Sequence, residues 1–136
     1  MPAFSNSSLN KLSTCHKDLQ ILFNEVIKHF DCTVLEGFRD KDTQNKAFDD
    51  GKSKLQWPNG KHNSNPSNAV DVAPYPIDWN DRQRFYFFAG RVLGVADALK
   101  DQGKMTHSIR YGGDWNGDNQ LNDNKFNDLV HFELIV

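Results

Sequence analysis

The sequence predicts an α+β fold, a small antiparallel sheet with helices packed against it. Helical apolar stripes alternate with short strand-like runs, the strands are few, and the loops between them are long and polar. At 136 residues the chain suits one domain, residues 1–136, around a single core.

The first helix is expected within residues 15–30, where Leu19, Leu22, Phe23, Val26, Ile27 and Phe30 share one face and Thr14 stands at the capping position. Residues 32–35 are short and β-prone. A shorter helix follows over 42–50, stopped by Gly51. Residues 52–67 are polar, carry two prolines and read as a loop. Residues 68–73 form a strand that Pro74 and Pro76 end. The longest helix spans 80–102, with Gly103 as its stop signal. Its stripe is Phe85, Phe88, Ala89, Val92, Leu93, Ala96 and Leu99. Residues 109–111 and 131–136 complete the strand candidates.

Composition excludes several function classes. A net charge of −2 gives no sign of a surface built for polyanions, so nucleic acid is a poor partner. The longest apolar runs are only a few residues, far short of a membrane span, so no membrane insertion is expected. Residues 1–6 show no basic region followed by an apolar stretch and do not read as a secretory signal. Cys15 and Cys32 form no CxxC pair. Without a signal peptide, both are expected as free thiols in a reducing cytosol.

The chemistry-bearing residues sit in two apolar strands. In KHNSNPSNAVDVAPY (61–75), Asp71 interrupts a run of alanines and valines, and His62 lies in the polar loop before it. A buried carboxylate is costly unless it is paired or binds a cation. An ion pair with an arginine, or a solvent-facing side of the sheet, would also accommodate Asp71. The second strand, DLVHFEL (128–134), projects His131 and Glu133 on one face and Phe132 and Leu134 on the other. His62, Asp71 and His131 together would supply two imidazoles and a carboxylate. That set suits a three-ligand catalytic zinc site with a fourth position for water. Asp128 and Glu133 are the local candidates for the proton carrier such chemistry needs.

The chain resembles the D-Ala-D-Ala carboxypeptidase and L-alanyl-D-glutamate endopeptidase family of zinc peptidases, and within it the small phage endolysins. The resemblance covers nearly the whole chain. It rests on VLEGFRD (34–40), KHNSNPSNAVDVAPY, RYGGDWNGD (110–118) and DLVHFEL. It implies a Hedgehog/D-Ala-D-Ala-peptidase-like fold, with His62, Asp71 and His131 as ligands of one catalytic Zn2+. It implies Asp128 as the general acid/base, and Arg39 as the group that grips a substrate carboxylate or polarises the scissile carbonyl. An ion pair of Arg39 with Glu36, Asp40 or Asp42 is the structural alternative. The chain departs from the family pattern in two places. Eight residues separate His62 from Asp71, more than the family usually has, and Gly60 stands where a serine is common. The polar contact that this serine makes is then either missing or supplied by Ser64 or Ser67.

The segment 114–124 begins like a calcium loop, but Asn119 and Lys125 stand where an EF-hand needs glycine and glutamate. It reads as a polar turn, with a looser Ca2+ site or an active-site flap as the alternative. The expected function is therefore zinc-dependent hydrolysis of a peptidoglycan stem-peptide bond, most directly L-Ala–D-Glu. A D-Ala-D-Ala carboxypeptidase is the alternative within the same chemistry. A non-catalytic, metal-stabilised wall-binding or virion-structural domain is the alternative outside it. A glycosidase with two carboxylates would be insensitive to chelators. The resemblance further implies a monomer without a wall-binding module, made in the host cytoplasm. It would act on the periplasmic wall once a holin has permeabilised the membrane.

Overall fold

A computed structural model of the chain describes residues 2–122 and 126–136. Four helices, α1 (Asn6–Leu12), α2 (Lys17–Val26), α3 (Lys41–Asp49) and α4 (Arg82–Asp101), accompany four strands, β1 (Cys32–Glu36), β2 (Ala69–Pro74), β3 (Ile109–Tyr111) and β4 (His131–Leu134). The strands form one antiparallel sheet in the order β1-β2-β4-β3. The α+β expectation holds, and no described helix is long and apolar enough to cross a membrane.

Alternation along the strands divides the chemistry. Val70 and Val72 of β2, with Phe132 and Leu134 of β4, point into the main core with the stripes of α2 and α4. Phe132 sits at its centre. Its ring meets Phe23 edge-on at 5.5 Å, Phe88 at 6.2 Å and Tyr111 in a stack at 5.1 Å. The opposite face carries Asp71, His131 and Glu133, and those residues too are buried. A solvent-facing Asp71 is thereby ruled out. Cys15 and Cys32 are free and buried, and burial pushes both thiols up to about 12.

Several element ends differ from the sequence expectation. Thr14 does not cap α2. Its hydroxyl donates to the Lys11 carbonyl and accepts from Phe38 N–H, while His16 caps the helix through Nδ1, which accepts from Asp18 N–H. Carboxylates also set the starts of α3 and α4, where Asp40 and Asp81 accept from Thr43 and Arg84 N–H. Gly51 and Gly103, with φ of 77° and 74°, follow the ends of α3 and α4 as expected. Strand β4 stops at Leu134, leaving Ile135 and Val136 exposed.

Helix α1 was not expected. Only Ser8 and Leu12 of its seven residues are buried, so it shows no apolar stripe. Its task is at the sheet edge, where Ser8 Oγ accepts from Val34 N–H of β1.

Candidate metal centre

The site is a product of strand register. Asp71 of β2 lies directly opposite His131 of β4, and Glu36 of β1 lies opposite Asp71 across a bulge. One step along, Ala69 pairs with Glu133, and Glu133 pairs with Arg110 of β3. Cross-strand partners on one face are close neighbours, so two rows of functional side chains stand side by side. His62 reaches this face from the 3-10 helix Lys61–Asn63, in the loop before β2.

The three residues expected to converge do so. Asp71 Oδ1 is 3.3 Å from His62 Nε2 and 3.3 Å from His131 Nδ1, and the two imidazoles meet edge-on at 5.1 Å. Two atoms each about 2.0–2.1 Å from a tetrahedral ion stand about 3.3–3.4 Å apart. Moreover, His62 Nε2 and Asp71 Oδ1 are buried without a hydrogen-bond partner, the state expected of atoms reserved for a cation. The other imidazole nitrogens are occupied. His62 Nδ1–H donates to the Gly37 carbonyl at 2.7 Å, and His131 Nε2–H donates to Glu133 Oε1 at 2.8 Å. These bonds turn His62 Nε2 and His131 Nδ1 towards Asp71. Burial would raise the Asp71 carboxyl, but the His62 and His131 imidazoles outweigh it and hold it well below the usual carboxylate range. Burial opposes a charge on His131, yet Asp71 and Glu133 lift it to about 9. The group can hold a metal ion, as a metallopeptidase requires.

A family model for phage L-alanyl-D-glutamate peptidases matches residues 2–135. The chain belongs to that family. None of the curated proteins compared with this peptidase matches it. Among solved structures, it is similar to the Serratia marcescens L-Ala D-Glu endopeptidase ChiX, with a TM-score of 0.70 and 22% identity over 98% of this chain and 90% of that one. That likeness establishes a shared fold.

Asp128 of the peptidase stands at the rim of the cluster, its Oδ2 3.9 Å from His131 Nδ1. Burial and the neighbouring Asp71 charge raise its carboxyl to about 6. Arg39 lies on the other side of Asp71. Its guanidinium reaches Asp71 Oδ2 at 3.2 Å and Gln44 Oε1 at 3.3 Å. Its Nε is 2.9 Å from Glu36 Oε2, a charge contact rather than an aligned hydrogen bond. The structural alternative for Arg39 is thus partly realised through Glu36, and the same side chain also lines a cleft of about 380 Å³ that opens over His62, His131 and Asp128.

Three features escaped sequence reasoning. Glu133, a candidate proton carrier in the sequence, is buried, bonded to His131 Nε2 and itself held by Arg110 at 2.8 Å. Gln44 is fully buried, receiving Arg39 and Asn63 at Oε1 and donating from Nε2 to Ser53 Oγ and the Leu55 carbonyl. Gly60 has a steric reason, because a Cβ there would stand 2.8 Å from Asn63 Oδ1 and 3.0 Å from Gln44 Oε1. Nor do Ser64 and Ser67 stand in for a serine, since their hydroxyls donate to the Pro66 and Ala69 carbonyls.

In the loop after β3, Asp114, Asn116 and Asp118 accept from the backbone N–H groups of Asn119, Asp118 and Gln120. These are the bonds of a polar turn. Asp123 and Asn124, which the calcium expectation also used, lie outside the described residues.

Proposed function

We propose that this peptidase hydrolyses the L-Ala–D-Glu bond of peptidoglycan stem peptides, with one zinc ion held by His62, Asp71 and His131. The convergence of His62 Nε2, Asp71 Oδ1 and His131 Nδ1, two of them buried and unpartnered, carries this reading. Two imidazoles and a carboxylate are a donor set of catalytic zinc, which keeps one position open. Bound there, zinc would supply Lewis acidity, polarising a carbonyl and lowering the pKa of water to about 7.

The chain's own groups do the rest. Asp128, raised to about 6, is ionised at neutral pH and basic enough to accept a proton from the attacking water. It then returns that proton to the leaving amine of D-Glu, so the peptide nitrogen departs neutral. Arg39, fixed by Asp71, Gln44 and Glu36, presents permanent positive charge to a substrate carboxylate or to the scissile carbonyl oxygen. Glu133 and Arg110 keep the His131 ring from turning. In the phage setting of the family, the enzyme is made in the host cytoplasm and acts as a monomer. It reaches the wall after a holin has opened the membrane.

Asp128→Asn tests the mechanism. It should retain one zinc per chain while kcat falls about 10²–10⁴-fold on permeabilised cells or purified peptidoglycan. Undiminished lysis with normal zinc content would overturn Asp128 as the proton carrier, whereas a zinc-loaded parent that cuts nothing would leave only a binding domain. Mass spectrometry of the digested muropeptides names the bond. Disaccharide carrying L-Ala alone is the expected product, whereas loss of only the terminal D-Ala would identify a carboxypeptidase.

A further inference from the structure

The cleft over the metal cluster is unusually cationic for a chain of net charge −2. Arg39, Lys52, Lys54, Lys61 and Arg110 line it, against the acids Asp128 and Glu133. The two arginines are already engaged, Arg39 by Glu36 and Asp71, and Arg110 by Glu133. The three lysines form no ion pair with a described carboxylate. Lys52 and Lys54 lie between α3 and the 3-10 helix and Lys61 opens that helix, so one wall of the cleft carries three positive charges that no described carboxylate ion-pairs, Lys52 acting on Asp50 only at longer range.

That wall is anchored to the chemistry. Gln44 Nε2 donates to Ser53 Oγ at 2.9 Å and to the Leu55 carbonyl at 2.6 Å, on either side of Lys54. The same side chain receives Arg39 and Asn63, the neighbour of His62. Lys54 Nζ lies 5.1 Å from the centre of the Phe126 ring, which also lines the cleft. The lysine backbone is therefore held in register with Arg39 and the metal ligands, which lowers the ordering cost of binding a charged ligand.

We propose that Lys52, Lys54 and Lys61 form a carboxylate-binding subsite that selects stem peptides with free carboxylates over amidated ones. This deepens the proposed function and rests on it. In the stem peptide the glutamate continues through its side-chain carboxyl, so its α-carboxylate is free beside the scissile bond. A third residue such as a diamino diacid brings another. Both lie on the leaving-amine side, within reach of a rim that can neutralise them.

The test uses the zinc-loaded enzyme and two synthetic peptides that continue from D-Glu into a diamino diacid. One carries both carboxylates free and the other has them amidated. The parent should cleave the free acid with the higher kcat/KM, by about tenfold at low salt, and the ratio should shrink as salt is added. Replacing all three lysines by glutamine should bring the ratio near one, chiefly through KM on the free acid, while all three replaced by arginine should restore it. Lys17, Lys41 and Lys104, exposed outside the cleft, replaced together by glutamine should leave it unchanged despite the same loss of charge. A parent that cleaves both peptides equally, or a triple glutamine variant that keeps the preference, overturns the subsite alone. Failure of the zinc-loaded parent to cut the L-Ala–D-Glu bond of either peptide overturns the proposed function and the subsite with it.

Discussion

Among the described residues of the peptidase are two His–Asp–His groups whose ligand atoms lie within 4.8 Å of one another, and they are built in opposite ways. In the group of His62, Asp71 and His131, two facing atoms have no hydrogen-bond partner. In the group of His16, Asp18 and His107, one ligand-type atom of each residue is already hydrogen-bonded. Asp18 Oδ2 accepts from Thr106 N–H, Thr106 Oγ–H, His107 N–H and His107 Nδ1–H, at 2.8–3.0 Å. His16 Nδ1 accepts the N–H that its capping role requires. Proximity of ligand-type atoms is the same in both. What separates a metal-ready cluster from a structural clasp is whether its lone pairs are already satisfied.

Exchanging one carboxylate in each group gives the largest contrast. Asp71→Asn should lose stoichiometric zinc on dialysis and with it all activity, whereas Asp18→Asn should keep one zinc per chain. Zinc analysis that finds two ions in the parent, or equal loss in both variants, would break the comparison. A pH effect comes next in size. In the metal-free chain His131 is an imidazolium below about 9, so a metal must displace its proton. Zinc affinity should therefore rise about tenfold per pH unit between pH 6 and 8, as read by chelator competition. Removing the support behind His131 is milder. Glu133→Ala should weaken zinc binding about 10–100-fold, and Glu133→Gln, which keeps an acceptor, should fall at the lower end.

The smallest effect belongs to the clasp. Burial would raise the Asp18 carboxyl, but His107 and Thr106 hold it below its ordinary 3.8. A depressed carboxylate stabilises the fold above pH 3.8 and loses that contribution as pH falls through its folded value. Asp18→Ala should cost about 2–3 kcal/mol in urea unfolding at neutral pH and nothing in zinc content. A variant as stable as the parent would show that the four bonds are replaced by water without loss.

Asp71 and His131 were legible because each violates its surroundings, a carboxylate among valines and an imidazole in an apolar strand, whereas His62 stands in a polar loop and carries no such mark. The sequence also showed the stripes of α2 and α4, since apolar burial leaves a period. Gln44 left none. It is the only fully buried residue of α3, and it makes its contacts through hydrogen bonds, so a polar residue in a polar helix looked like surface. The Arg110–Glu133 pair was hidden for another reason, because the partners lie 23 positions apart and only the register of β3 on β4 brings them together. Thr14 misled as a cap because its hydroxyl is committed to Lys11 and Phe38.

The pairing of Asp71 with His131 has a further consequence. The same alignment sets Val70 against Phe132, the residue at the centre of the core. Sliding β4 by one position would turn Phe132 into the cleft and drive His131 under the helices, exchanging the faces of the whole strand. An oily core of this shape therefore acts as the proofreader of the metal geometry. Any misaligned chain is rejected by its packing, before chemistry could reveal the error.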